Sequence, residues 1–339
     1  GMTGRFSSGT VVGFGEILLR LTAPGHRRFL QAESFDAHYG GSEANAAVSL
    51  ANYGTPAAFV TRLPDNALGQ AAIDRLRARG VDTRHIVRGG DRMGLYFVER
   101  GAGARGQGII YDRAGSAIAG AAADTFDWER IFAELDAGWF HFSGITPALG
   151  EGCAALCLSA CRAARQRGMT VSCDLNYREQ LWPRARAGQV MDGLCRLADV
   201  CIAYEDEPGD LFGIRAPEGV PRTEGAAHIA RTLRERFGFA AAAVTVSRSY
   251  SAMERDWTAV LADESGCYAG GYYRFAAVDR IGGGDAFSGA LIHALLSGMP
   301  AQQAVAFATA AGCLKYTVEG DMNLATRAEV AALAARPTA

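Results

Sequence analysis

The sequence predicts an α/β protein: a mostly parallel central sheet with helices on both faces, and a small β-sheet standing over it as a lid. Short apolar runs alternate with helix-period segments along most of the chain, the pattern of strand–helix–strand crossovers onto one buried sheet. Two further stretches, 17–38 and 95–113, alternate apolar with polar residues, as strands solvated on one face do. We therefore assign 10–16, 39–94 and 114–335 to the α/β body, and 17–38 with 95–113 to a discontinuous lid.

Each element has its own signal. Val11–Phe14 is an apolar run ending at Gly15 and Glu16, a buried first strand. Leu19, Leu21, Phe29 and Phe35 then appear among polar residues, which suits exposed antiparallel strands. Gly40 and Gly41 precede Ser42, an expected N-cap for a small-residue helix running from Glu43 and closing at Gly54. Ala57–Thr61 reads as a second buried strand, and Leu95–Glu99 with Gly108–Tyr111 as the other half of the lid. Beyond it, Trp139–Ser143, Thr170–Asp174, Val200–Ala203 and Ala241–Val246 are strands separated by helical segments. No internal repeat or low-complexity linker interrupts the series.

Composition limits the function classes. The 339 residues are 49% hydrophobic and 21% charged, enough to bury a large core and outside the disordered and fibrous ranges. A net charge of -2 offers no positive field for nucleic acid or an anionic membrane, so an anionic ligand has to be held locally. The longest apolar stretches, such as 237–246, fall well short of the roughly 20 residues of a spanning helix. Gly1 before Met2 reads as a cloning remnant, and no export signal follows, so a cytoplasmic location is expected. The eight cysteines are expected as free thiols, with Cys153, Cys157 and Cys161 on one helix face as core packing. Lys315 is the one lysine of the chain, and it fits no phosphate-loop or Schiff-base pattern. Phosphate handling would rest on backbone amides and arginine.

The sharpest chemical signal is Asp279-Arg-Ile-Gly-Gly-Gly-Asp285-Ala-Phe287. Phe287, Ala290, Leu291, Ala294 and Leu295 follow at helical spacing, so a helix begins right after Gly282, Gly283 and Gly284. Residues without a Cβ let a ligand approach the backbone, and the first amides of a helix are unpaired and positively polarised, which together make an anion hole. A carboxylate there repels phosphate unless it faces another atom. A substrate hydroxyl is that atom, and Asp285 is the expected base that takes its proton. A plain loop-to-helix turn with an acidic residue on the dipole is the competing reading.

This segment resembles the D-x-x-G-A-G-D-x-F signature of the ribokinase (PfkB) family of carbohydrate kinases, with Gly283 where the family usually has alanine. Gly40-Gly41-Ser-Glu-Ala-Asn45-Ala-Ala resembles the family's earlier glycine motif, and Val60-Thr-Arg-Leu-Pro-Asp65-Asn-Ala-Leu-Gly69 follows at the family's distance. By contrast, Gly13-Phe-Gly15 lacks a third glycine, which argues against a dinucleotide fingerprint. Gly15-Glu-Ile-Leu-Leu-Arg20-Leu, Asp174-Leu-Asn-Tyr-Arg178-Glu-Gln-Leu-Trp182 and Leu314-Lys-Tyr-Thr-Val-Glu-Gly-Asp321-Met-Asn323 are similar to segments of the 2-keto-3-deoxygluconate kinase branch.

The resemblance implies a ribokinase-like three-layer fold, ATP and Mg²⁺ as cofactors, and phosphorylation of a small sugar acid at its terminal hydroxyl. It places Gly40, Gly41, Asn45, Tyr96, Tyr111, Arg113, Arg178 and Asp321 at the sugar, and Ser247, Arg280 and Asn323 at the nucleotide. Glu207 would act on Mg²⁺ through water. Arg178 at the end of a buried strand suits a carboxylate fork, against an alternative of a surface ion pair. Two departures bear on the donor: Tyr204-Glu-Asp-Glu207 lacks the family's asparagine, and 245–252 has no glycine turn. Asp112 stands where relatives often have an aromatic. A neutral-sugar kinase and a silent sensor of sugar or nucleotide remain as alternatives. A homo-oligomer, a dimer through the exposed lid sheet and apolar residues such as Phe29, is expected.

Overall fold

The protein is described by a computed structural model over residues 6–336; the start at Gly1 and Met2 lies outside the described residues. The chain opens with β1 (Thr10–Phe14), the lid strands β2 (Leu18–Thr22) and β3 (Asp36–Gly40), and helix α1 (Ser42–Asn52). β4 (Ala57–Val60), β5 (Arg62–Leu63), α2 (Ala67–Ala78) and β6 (Val87–Arg88) lead to the second lid pair, β7 (Leu95–Glu99) and β8 (Gly108–Asp112). Then come α3 (Trp128–Glu134), β9 (Ala137–Ser143), α4 (Glu151–Gln166), β10 (Thr170–Asp174), α5 (Arg184–Cys195) and β11 (Val200–Tyr204). α6 (Glu207–Phe212) and α7 (Arg222–Phe237) precede β12 (Ala241–Val246), β13 (Glu254–Asp263), β14 (Gly266–Ala269) and β15 (Tyr273–Ala276). The chain finishes with α8 (Gly283–Leu296), α9 (Ala301–Lys315) and α10 (Arg327–Ala334).

The main sheet has nine strands in the order β14-β13-β12-β11-β10-β9-β1-β4, with β15 also on β13. β4, β1, β9, β10, β11 and β12 run parallel. Strands covered on both faces read as continuous apolar runs, and β9 and β10 are buried at every position. Alternate side chains feed two core layers. Val12 and Phe14 of β1 join Phe140, Phe142 and the cysteines of α4 on one face, while Val11 joins Trp139, α8 and α9 on the other. Cys153, Cys157 and Cys161 are thus part of the core, as expected from their spacing.

Three details differ from the sequence reading. α1 begins at Ser42 with Gly41 as N-cap and no side-chain cap bond, because the Ser42 hydroxyl instead accepts from Asn176 Nδ2 at 3.2 Å. The lid is ordered β3-β2-β7-β8, and only its outer pairs are antiparallel; β2 and β7 run parallel because the body lies between them in sequence. Phe29 is half-buried, with its amide donating to Glu99 Oε2, and the exposed apolar residue beside it is Leu30, 98% accessible.

Candidate active site

The carboxyl ends of β10, β11 and β12 face the amino end of α8 across a cleft of about 610 Å³, where open α/β sheets hold their ligands. A recess of about 80 Å³ under the lid, lined by Gly40, Gly41, Asn45, Arg113 and Asp321, adjoins it. Tyr96, Tyr111, Arg178 and Asp285 line both. Asp285 therefore stands at the seam between a large space and a small one, where an acceptor on one side can meet a donor on the other.

The glycines form the N-terminus of α8 itself. Gly282 is the N-cap, at φ 91°, a left-handed conformation that favours glycine. A Cβ there would also lie 2.3 Å from the Asp321 carbonyl oxygen. The first helical hydrogen bond runs from the Ala286 amide to the Gly282 carbonyl at 2.9 Å, which leaves the amides of Gly283, Gly284 and Asp285 without intrahelical partners. A Cβ on Gly284 would meet no protein atom within 4 Å, so the room it leaves belongs to the cleft. At Gly283 a Cβ would come within 2.5 Å of the Tyr316 ring. The aromatic side chain occupies the space that an alanine would need, which is a local reason for glycine at this position.

Asp285 Oδ2 accepts from Asn45 Nδ2 at 2.9 Å. Burial raises its pKa, partly offset by the hydrogen bonds of Asn45 and Ser42 and by the charge of Arg178. Two more carboxylates face the same cleft. Asp174, 8% exposed, accepts from Ser288 Oγ and is pushed well up by burial and then by Glu207 and Asp285. Glu207 accepts from the amides of Tyr204 and Tyr177 at 2.8 and 2.7 Å, and burial raises it to about 7.

On the lid side, the Tyr96 and Tyr111 rings stack at 5.4 Å, and the Arg113 guanidinium lies 5.3 Å from the Tyr111 ring. Arg113 donates to Glu16 Oε1 from Nε at 2.9 Å and from Nη2 at 2.6 Å, while Glu16 Oε2 is buried without a partner. Arg178 is exposed, and its guanidinium makes no hydrogen bond or ion pair among the described residues, unlike the surface pair that was its alternative.

Several residues at or beside the site were given no role by the sequence reading. Arg20, fully buried, bonds Asp279 at 2.6 Å, Asp321 at 3.3 Å and Thr22 Oγ1 at 2.9 Å. Asp321 also accepts from the Tyr96 hydroxyl, so its carboxylate is already engaged by protein beside the recess. A lone arginine inside an apolar strand is a signal of such a buried pair, since an uncompensated charge there is costly. Glu16 and Arg255 carried no comparable mark.

Of the residues expected at the nucleotide, Ser247 and Arg280 line the cleft. Ser247 Oγ donates to the Asp256 carbonyl at 2.7 Å, and Arg280 donates to the Ala252 carbonyl and to Ser249 Oγ at 3.2 and 3.0 Å. Asn323 does not join them: it is buried, donates to the Tyr53 hydroxyl at 3.1 Å and accepts from the Ala325 amide. It ties the loop after α9 to α1, and the expected nucleotide contact is corrected accordingly.

Residues 9–327 match the pfkB family carbohydrate kinase pattern. A 2-dehydro-3-deoxygalactonokinase of Haloferax volcanii is 35% identical over 323 residues, covering 94% of this chain and 95% of the relative. A 2-dehydro-3-deoxygluconokinase of Thermoproteus tenax is 31% identical, covering 92% and 90%. The crystal structure of a 2-dehydro-3-deoxygluconokinase from Thermotoga maritima superposes with a TM-score of 0.94 at 44% identity, over 97% of this chain and 100% of that one. The cleft with its glycine cradle, the aspartate at the seam and the match along nearly the whole chain make this protein a member of the pfkB family of carbohydrate kinases.

Proposed function

We propose that the enzyme transfers the γ-phosphoryl group of ATP to the terminal hydroxyl of a 2-keto-3-deoxy sugar acid, with 2-keto-3-deoxygluconate as the leading substrate. The observation that carries the acid is Arg178: a guanidinium without a protein partner, placed at both the recess and the cleft. A free planar fork suits a substrate carboxylate. The names of the three kinases reported above, a 2-dehydro-3-deoxygalactonokinase and two 2-dehydro-3-deoxygluconokinases, point the same way.

In this reading Asp285 takes the hydroxyl proton as the oxygen bonds to phosphorus and the bond to ADP breaks. Its raised pKa strengthens it as a base. Asn45 fixes the carboxylate, and the amides at the start of α8 receive the transferring charge. Tyr96, Tyr111, Arg113 and the Gly40–Gly41 backbone enclose the sugar, and Glu16 Oε2 is an open acceptor for one of its hydroxyls. Mg²⁺ bound with the nucleotide neutralises charge on its phosphates. Glu207, whose two oxygens each already accept an amide, fits holding the waters of that ion better than direct ligation.

The test is ADP release with Mg²⁺-ATP against 2-keto-3-deoxygluconate, 2-keto-3-deoxygalactonate, gluconate, fructose and ribose. Turnover confined to the ketodeoxy acids supports the proposal. Turnover on fructose or ribose alone overturns the acid assignment, and silence throughout overturns the kinase reading of this site.

A further inference from the structure

Tyr316, whose ring lies against the cradle at Gly283, carries a guanidinium on its other contacts: Arg255 Cζ is 4.7 Å from the ring centroid. Arg255 sits on β13, a strand absent from the sequence reading, and lines the same cleft as Gly282–Asp285. Its Nε and Nη2 both donate to one atom, Ser247 Oγ. A guanidinium has five donors, so most of its capacity is unspent.

Neither Arg255 nor its neighbour Arg280 has a carboxylate within ion-pair distance among the described residues. Arg20 with Asp279, Arg113 with Glu16 and Arg222 with Asp256 are ion-paired, while Arg62 and Arg234 spend their donors on backbone carbonyls; Arg255 has neither. The two unpaired charges press on each other, and Arg280 is shifted down by burial and then by Arg255. Like charges gathered in a cleft, with a helix N-terminus beside them, leave an electrostatic deficit that an anion fills. The single lysine offers no substitute, because Lys315 is fully buried and donates to the Val318 carbonyl.

We propose that Arg255, seated on Tyr316 beside Arg280, binds the phosphate chain of the donor nucleotide. This rests on the reading of the cleft as an ATP site. Cation–π support holds the guanidinium plane while its free edge reaches the ligand. Glycine at 283 is part of the device, since a methyl group there would displace the ring on which Arg255 lies.

The experiment is calorimetric titration of the full-length protein with ADP and with adenosine, without sugar, for wild type, Arg255→Met and Arg255→Lys, alongside the KM for ATP and for the sugar acid. Loss of a charge-assisted contact of about 1.5–3 kcal/mol corresponds to a roughly 10- to 100-fold weaker ADP Kd for Arg255→Met. Adenosine binding and the sugar KM should stay within about twofold, and Arg255→Lys should recover part of the ADP affinity. An unchanged ADP Kd in Arg255→Met, or equal weakening of ADP and adenosine, overturns the proposal. Wild type that binds ADP but turns over no sugar acid overturns only the substrate assignment. Wild type that binds no nucleotide overturns both.

Discussion

Asn45 on α1 and Asp285 on α8 are 240 residues apart in sequence and joined by a 2.9 Å hydrogen bond from Nδ2 to Oδ2. This bond, with a further one from Ser42, orients the carboxylate for the proton transfer proposed above. Asp285→Asn should therefore keep its thermal transition and sugar binding while kcat falls by about 10²–10⁴-fold, the contribution of a positioned base. Asn45→Ala should lower kcat by roughly tenfold with the base still present. Single-turnover kinetics check both, and a near-wild-type rate for Asp285→Asn removes it as the base.

Arg178→Ala should raise KM for a ketodeoxy acid by about 10- to 100-fold, the loss of a charge-assisted fork. With a neutral sugar offered at high concentration, the same substitution should change KM little. Equal effects on both substrates would show that Arg178 does not read the carboxylate.

Arg20→Met leaves Asp279 and Asp321 as uncompensated charges in a buried position. Breaking such a cluster by removing one partner costs about 3–5 kcal/mol. Urea unfolding should show a loss of unfolding free energy of that size, read as a lower midpoint with little change in the slope.

Glu43, fully sheltered beneath the recess, accepts from the Ser143 amide at 2.9 Å and from the Thr146 hydroxyl, and burial raises it to about 7. A carboxyl whose folded pKa lies above its unfolded value of 4.5 contributes stability below pH 4.5 that is lost as pH rises towards 7. Glu43→Gln keeps an acceptor oxygen for Ser143 and Thr146 and never ionises. It should flatten stability between pH 4.5 and 7, and at pH 8 should exceed wild type by up to about 3 kcal/mol. Denaturation midpoints across that range decide it.

The α/β body was legible because parallel strands buried on both faces leave uninterrupted apolar runs, as at 139–143 and 170–174. The glycine-rich helix start at Gly282–Asp285 was legible because close backbone approach and a carboxylate at a helix start leave few sequence solutions, whereas Gly40, Gly41 and Asn45 were placed at the site by the family resemblance alone. β13, β14 and β15 were missed because Glu254-Arg-Asp opens a strand with charges whose partners, such as Arg222 for Asp256, lie elsewhere in the chain. The same reason hid Arg255, whose role depends on a ring 61 positions away, and misplaced Asn323, which a local motif cannot distinguish from a helix-to-loop clasp.

Arg20 is also a mechanical feature. It lies on β2, the second strand of the lid, yet both its ionic partners belong to loops of the body. β3 likewise runs directly into Gly40, where a Cβ would collide with Asp321 at 2.3 Å. The lid is riveted at its root, so it cannot swing away as a rigid door. Any opening has to flex outboard of Arg20, towards β8, where Ile109, Ile110 and Tyr111 are exposed. The entrance to the recess is therefore a lip that bends, and its stiffness is a property of β7 and β8 rather than of a hinge.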